Sequence, residues 1–375
     1  MGTRSSPLEG LGTVINDQLD KTFWADRPVF LTGHTGFKGS WLSLLLSELG
    51  AVVHGYALAP ASEPALFTMA KIEDCLSTST IGDIRDFKAL NASLKSVSPE
   101  IVIHMAAQPL VRQSYLDPLT TFSTNVMGTV NLLEAARNVS SIKAIVIVTT
   151  DKVYENQNSV WGYRESDKLG GFDPYSSSKA CTEIATTAYR QSFFNRDKYE
   201  QHGVAIATAR AGNVIGGGDF STDRLVPDIF RAFAAKQPIL IRNPRAVRPW
   251  QHVLEPLRGY LVLAKALSER GANIYPTINF GPKVCDALTV EEIVRMLVGD
   301  WQHAPGWAIQ PGEHPYESQA LRLDITLASD QLGWKPQIGI EQALALCCDW
   351  QRCTNASKHP HDVTVEQVRA YIHKI

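Results

Sequence analysis

The chain has 375 residues, of which 44% are hydrophobic and 20% charged, with 36 lysines and arginines against 38 acids and a net charge of −2. That length suits one large α/β unit or two domains with a sizeable buried core, and the composition excludes a disordered chain. No basic stripe or polybasic tail points to nucleic acid or an anionic membrane, and no run of about 18 apolar residues predicts a membrane-spanning helix.

Taken in chain order, Met1 to about Lys21 is polar and has no apolar run of signal-peptide length, so residues 1–25 are expected to form a flexible arm. Val29 to Thr32 reads as a short apolar strand, and a glycine-rich turn follows at once. Ser40 to Leu49 reads as a helix stopped by Gly50, and Ala51 to Ala57 as a second strand. A third strand is expected to end near Ser79–Asp83, with a helix from Arg85 to Val97. Ile101 to Ala106 is an apolar run of the kind buried in parallel sheets. Pro118 to Asn138 reads as one long helix, Lys143 to Thr150 as a fifth strand, Pro174 to about Phe194 as a helix and Val204 to Arg210 as a sixth strand. Strands alternating with helices predict a doubly wound parallel sheet, whose ligands sit at the carboxyl ends of its strands.

Beyond Gly216 the pattern loosens into helices at Val226–Lys236 and Glu255–Arg270 and a strand at Ile274–Phe280. The expected division is a nucleotide-binding unit over 26–215, with return segments around 245–280, and a smaller C-terminal lobe from 216–244 and 281–375 closing over a substrate. The six cysteines (Cys75, Cys181, Cys285, Cys347, Cys348, Cys353) show no CxxC pair, which fits buried thiols in a reducing cytoplasm and no metal.

Two motifs carry chemistry. Gly33, Gly36 and Gly39 have GxxGxxG spacing after a strand, which allows a tight turn and close backbone approach to phosphate at a helix N-terminus. The acid expected on the adenosine ribose is missing, because the second strand ends His54-Gly-Tyr-Ala57, and no arginine there favours a 2′-phosphate. Asp83 reads either as an adenine contact or as a helix N-cap. Tyr175 and Lys179 lie four apart, on one face of a helix. A phenol titrates near ~10, and a neighbouring ammonium is expected to lower that value toward use as a base. Thr150 stands at a strand end, where Asp151 and Lys152 follow.

These stretches, with Ala106-Ala-Gln-Pro-Leu-Val-Arg112, Thr150-Asp-Lys-Val-Tyr-Glu-Asn156 and Asp173-Pro-Tyr-Ser-Ser-Ser-Lys179, resemble the extended short-chain dehydrogenase/reductases. Gly212-Asn-Val-Ile-Gly-Gly-Gly-Asp219, Asp223-Arg-Leu-Val-Pro-Asp228, Arg248-Pro-Trp-Gln-His-Val253 and the Asp-Lys pair make the resemblance specific to the CDP-glucose 4,6-dehydratase branch, over about Trp24 to Trp350. The resemblance implies a Rossmann-type sheet, NAD as cofactor, a nucleotide-sugar substrate, a homodimer or homotetramer, and a role in deoxysugar biosynthesis such as that of lipopolysaccharide O-antigen.

It also implies roles for particular residues. Tyr175 takes the proton of the sugar 4-hydroxyl, Thr150 shares that hydroxyl, and Lys179 holds the nicotinamide ribose. Asp151 and Lys152 form the acid–base pair for elimination, although Lys152 also reads as a strand-end lysine that merely pairs with Asp151 or Glu155. Gly33, Thr35, Gly36, Phe37, Lys38, Gly39, Asp83, Ile84, Ala106 and Ala107 are expected to line the cofactor. Asn213, Arg224, Leu225, Val226, Arg242 and Arg248 are expected to meet the substrate, with one or two of the arginines on its diphosphate. Trp250 reads equally as core or as a base-stacking residue, and His252 as structural. An epimerase needs no elimination pair, and a non-catalytic NAD-binding sensor is expected to have lost Tyr175 or Lys179.

Overall fold

The computed structural model describes residues 19–301, 303–312 and 318–375. Its strands in chain order are β1 (Pro28–Thr32), β2 (Val52–Ala57), β3 (Thr78–Ile81), β4 (Ile101–His104), β5 (Ala144–Val148), β6 (Ala205–Ala211), β7 (Asn213–Ile215), β8 (Ile239–Ile241), β9 (Val247–His252), β10 (Thr277–Phe280), β11 (Ala287–Thr289) and β12 (Trp307–Ile309). Seven of them form one parallel sheet in the order β10-β6-β5-β4-β1-β2-β3, the doubly wound arrangement expected.

Side chains alternate across that sheet with a period of two. Val29, Leu31, Ile101, Ile103, Ala144 and Val146 enter one core, while Phe30, Val102, Ile145, Ile147 and Ile206 enter the other. The helices Phe37–Glu48 and Leu254–Arg270 cover the first face, and Phe87–Val97 and Gly128–Ala136 the second. Both faces are therefore covered by apolar helices, which is why the strands read as continuous hydrophobic runs.

The sheet changes direction between β1 and β4, and their ends are tied together. The Thr32 hydroxyl, fully buried, accepts from the amides of Met105 and Ala106 at 3.1 Å each and sits 2.8 Å from His104 Nδ1.

Outside this unit, β7 pairs parallel with β9 and β9 antiparallel with β11, while β8 and β12 form a separate parallel pair. The helix Leu225–Ala235 packs on β8.

Three expectations are corrected. Residues 1–18 of the expected arm lie outside the described residues, but the arm does not extend to residue 25. Asp20 caps a short helix at Lys21–Trp24, and Phe23 and Trp24 are buried in the core. The helix expected over Pro118–Asn138 is interrupted at Ser123–Met127 by a π turn, where the buried Asn125 side chain is drawn toward Gln108 and Ser178.

The stretch 281–375 is not all outer lobe. Thr326–Leu332 packs on β10, and Pro360–Lys374 packs on Phe37–Glu48. Those helices carry apolar faces that the nucleotide-binding unit buries; Tyr371, for example, accepts from Arg258 Nε at 2.9 Å.

Trp350, on the helix Ile340–Asn355, lies against the glycine run after β7, where a Cβ added to Gly217 would stand 2.0 Å from its ring. Its indole donates to Thr364 Oγ1 at 2.9 Å and leaves it little room to shift. Gly217→Ala is accordingly expected to lower stability by about 1–3 kcal/mol through overpacking, read as a fall in the urea midpoint. An unchanged midpoint would show that Trp350 yields freely.

Candidate active site

The glycine turn follows β1 directly. Gly33 has φ +80°, and a Cβ there would lie 2.8 Å from the Ala106 amide nitrogen. Gly36 begins the helix Phe37–Glu48 in an extended conformation with no side-chain cap, so that helix starts three residues earlier than its apolar pattern predicts. Gly39 lies in its first turn, where a Cβ would come within 2.0 Å of the Gly33 carbonyl oxygen. The helix therefore presents amides not taken by a side-chain cap, and its positive dipole end, at a point where the backbone itself can touch a ligand.

Thr35 donates to the Leu58 carbonyl at 2.8 Å, tying the turn to the end of β2. After β2 come Leu58 and Ala59, so the absent ribose acid is not replaced from that strand. The N-cap of the Phe87–Val97 helix is Asp86, not Asp83. Asp83 instead pairs with Arg85, whose hydrogen bond holds its carboxyl below the ordinary range.

At the end of β5, Thr149 and Thr150 lead into a 3₁₀ turn at Asp151–Val153. Thr150 donates to Asp151 Oδ1 at 3.0 Å. Across from it, Asp173 caps the helix Pro174–Ser192 by accepting from the Ser176 amide at 2.9 Å, with Pro174 in the first turn. The helix spacing places Tyr175 and Lys179 together toward the strand end, where Lys179 Nζ donates to the Val148 carbonyl at 3.1 Å.

Burial dominates the electrostatics here. It pushes the Tyr175 phenol up to about 12, while a hydrogen bond with Thr150 and the charge of Arg224 pull the other way. The depressed phenol expected from the sequence is therefore not produced by these protein groups, because desolvation outweighs them. Burial lowers Lys179 to about 8, opposed by Glu183. Burial raises Asp151 to about 6 against the pull of Lys152, Thr150 and Arg248. Its Oδ2 is buried on the cleft wall with no hydrogen-bond partner among the described residues, an acceptor left for a ligand hydroxyl.

All the residues assigned above to catalysis, cofactor or substrate line one cleft of about 950 Å³ at the carboxyl ends of the strands. Asn213 opens β7, and Leu225 and Val226 open the helix that follows Arg224. The arginines have protein partners: Arg224 meets Asp219 at 3.3 Å, Arg242 meets Asp223 at 3.3 Å, and Arg248 donates to the Val247 carbonyl at 3.0 Å. Trp250 belongs to the core and the cleft wall together, donating to the Leu288 carbonyl at 3.0 Å. His252 is fully buried edge-on to Trp41, and burial lowers it to about 3, which fits a structural role.

Other contributors were not visible in the sequence. Lys38 does more than sit beside the turn: its ammonium donates to the Tyr260 hydroxyl at 2.8 Å. Burial lowers it to about 7, with Arg224 and Lys179 adding and Asp151 opposing, so it lies in the field of those three groups. Arg112 reaches Asp223 at 2.9 Å across the cleft mouth. Asn125 accepts from the Gln108 amide at 2.8 Å and donates to Ser178 at 2.8 Å, joining the segment after β4 to the catalytic helix.

Residues 30–346 match the family described as GDP-mannose 4,6 dehydratase. The chain is 54% identical over 334 residues to the CDP-glucose 4,6-dehydratase of Salmonella typhimurium, covering 89% of this chain and 93% of that one. It is 26% identical to a dTDP-glucose 4,6-dehydratase of Xanthomonas campestris pv. campestris, over 85% of this chain and 92% of that one. A UDP-glucose 4-epimerase from Thermotoga maritima, solved with UDP-glucose, superposes with a TM-score of 0.76 over 87% of this chain and 99% of that one. At 21% identity that likeness is one of fold. The parallel sheet, glycine turn and Tyr–Lys helix define a nucleotide-binding α/β protein of the extended short-chain dehydrogenase/reductase class. Within that class the chain belongs to the GDP-mannose 4,6-dehydratase family.

Proposed function

We infer that the protein is an NAD-dependent hydro-lyase that converts CDP-glucose to CDP-4-dehydro-6-deoxyglucose and water. The observation that carries this reading is the 54% identity to a CDP-glucose 4,6-dehydratase along 89% of the chain. The Asp151–Lys152 pair, beside Thr150 and Tyr175, supports it, because an epimerase needs no elimination pair.

The glycine turn fits a dinucleotide: backbone stands where side chains would collide, and the helix end has no side-chain cap. Gly33, Gly36 and Gly39 would hold its pyrophosphate and Lys179 its nicotinamide ribose. The chemistry a bound NAD supplies is a hydride acceptor for sugar carbon 4 and, when reduced, a donor for carbon 6. Tyr175 would take the 4-hydroxyl proton while Thr150 holds that hydroxyl, and a bound nicotinamide would add its positive charge to the effects of Thr150 and Arg224, which lower the phenol. The resulting ketone acidifies the proton at carbon 5, which Lys152 removes and returns to carbon 5 once carbon 6 has taken its hydride. Asp151, raised to about 6, carries a proton near neutral pH far more readily than an ordinary carboxylate and delivers it to the departing 6-hydroxyl.

The arginines at 224, 242 and 248 stand on the wall beside the outer lobe, where a diphosphate would exchange with their carboxylate and carbonyl partners. The unit over 26–215 with its return strand would then bind the cofactor. The 216–244 segment, joined by β11, β12 and the helix Val290–Asp300, would cover the sugar nucleotide. Pairing of two copies through the helices after Pro118 and Pro174 is supported by exposed Leu116, Leu119, Met127 and Ile184. Light scattering should give a dimer or tetramer mass, and a monomer would remove this arrangement. A cytoplasmic place in deoxysugar synthesis, with O-antigen as one destination, follows from the family's role. No described helix is long and apolar enough to cross a membrane.

The deciding assay incubates the protein and NAD with CDP-, dTDP-, UDP- and GDP-linked sugars and follows product masses. Loss of water from CDP-glucose is expected, whereas altered stereochemistry at unchanged mass would replace the reading with epimerisation. Tyr175→Phe should cut turnover by at least about 100-fold while CDP-glucose still binds. Lys152→Ala should still reduce the nicotinamide in a single turnover, seen by its absorbance, yet release no water. Normal turnover in either variant would remove that residue's assigned role. Gly39→Ala should weaken NAD at least about tenfold by calorimetry with the far-ultraviolet circular dichroism unchanged. Undiminished affinity would move the dinucleotide away from the turn.

A further inference from the structure

Beneath the catalytic residues lies a charged pair that the mechanism above does not use. Glu183 and Arg210 are each 3% exposed at the side chain and meet in a two-pronged contact, Nε to Oε1 at 2.9 Å and Nη2 to Oε2 at 3.0 Å. Thr149 donates to Oε1 at 2.5 Å and Thr208 to Oε2 at 2.7 Å. Each carboxylate oxygen thus accepts two hydrogen bonds. Arg210 also donates to the Tyr154 hydroxyl at 2.8 Å, which in turn donates to Asn279 Oδ1 at 2.7 Å. Burial works against the Arg210 charge, but Glu183 and Tyr154 more than restore it, leaving its pKa above the ordinary guanidinium value.

A buried ion pair is weak evidence for stability, because an apolar pair of equal volume is often as stable. The placement of this one explains it better. Glu183 stands one helical turn after Lys179 and two turns after Tyr175, so it shares their helix face. Thr149 immediately precedes Thr150 and Asp151, and Tyr154 lies two residues past Lys152. One carboxylate–guanidinium unit therefore joins the helix that carries Tyr175 and Lys179 to both ends of the turn that carries Thr150, Asp151 and Lys152.

We propose that Glu183, locked by Arg210, is a positioning residue that sets the two catalytic segments against each other and supplies the counter-charge to Lys179. This rests on the dehydratase reading for its chemistry, whereas the first of its tests needs no substrate. Among the described residues, the groups whose charge couples with Lys179 are Glu183 on its own helix, Lys38 from the glycine-turn helix and His104 from β4. Glu183 is the one that opposes the loss of its proton on burial. Lys179 is lowered to about 8, so removing Glu183 lowers it further, and a step needing charged Lys179 then fails at lower pH.

The test has two readouts. Competitive labelling of the folded protein with acetic anhydride across pH, read at Lys179 by mass spectrometry, requires no substrate. The midpoint should lie near 8 in the parent and about one pH unit lower in Glu183→Gln. An equal midpoint overturns the counter-charge role, even if CDP-glucose loses no water and the functional reading falls. In the dehydration assay, the basic limb of the kcat profile should move down by the same amount. Thr149→Val keeps the ion pair and volume, so it remains available should Glu183→Gln fail to fold. It should lower kcat about tenfold with KM for CDP-glucose unchanged, and Thr149→Ser should restore it. Unchanged kcat in Thr149→Val overturns the positioning role.

Discussion

The close approach of β1 and β4 at their carboxyl ends is the constraint on which the rest of the molecule depends. Thr32 accepts two backbone amides from the residues just past β4, and Gly33 then turns where a Cβ would lie 2.8 Å from one of them. With the strand ends held this near, the chain leaves β1 through a left-handed glycine and enters a helix with no side-chain cap. The open cleft, the positive helix end and the exposed backbone amides are consequences of that one crossing.

A second theme is competition between burial and charge. Within this cleft, burial moves a phenol up, a carboxyl up and two ammonium groups down, each toward its neutral form. For the carboxyl this is productive, since Asp151 reaches a range where it can carry a proton at neutral pH. For the phenol it opposes ionisation, against the hydrogen bond from Thr150 and the charge of Arg224. The buried Glu183 opposes the same effect at Lys179. The protonation balance in the cleft is set by how well a few fixed charges offset desolvation.

Much of the fold was legible because its signals are local. Largely apolar runs marked the inner strands β1, β4, β5 and β6 to within a few positions, since strands covered on both faces need no polar alternation, whereas the polar edge strand β3 was read only from its end near Asp83. The π turn at Ser123–Met127 was not legible, because it arises from Asn125 reaching across to Gln108 and Ser178 rather than from its neighbours in sequence. Two of the last three helices, Thr326–Leu332 and Pro360–Lys374, were assigned to the outer lobe on chain order alone. Their apolar faces are instead completed by the nucleotide-binding unit, a partner that periodicity cannot name.

By itself the sequence determined the parallel sheet, the glycine turn and the shared face of Tyr175 and Lys179, because each follows from spacing along a regular element. Only the tertiary structure decided the protonation balance of Tyr175, Asp151 and Lys179, which depends on burial by residues from many segments. It also decided that Lys38 would meet Tyr260, 222 positions away, and that Glu183 would lock Arg210 from a different element. Those contacts form when the sheet closes, and no local pattern carries the distance between groups so far apart in the chain.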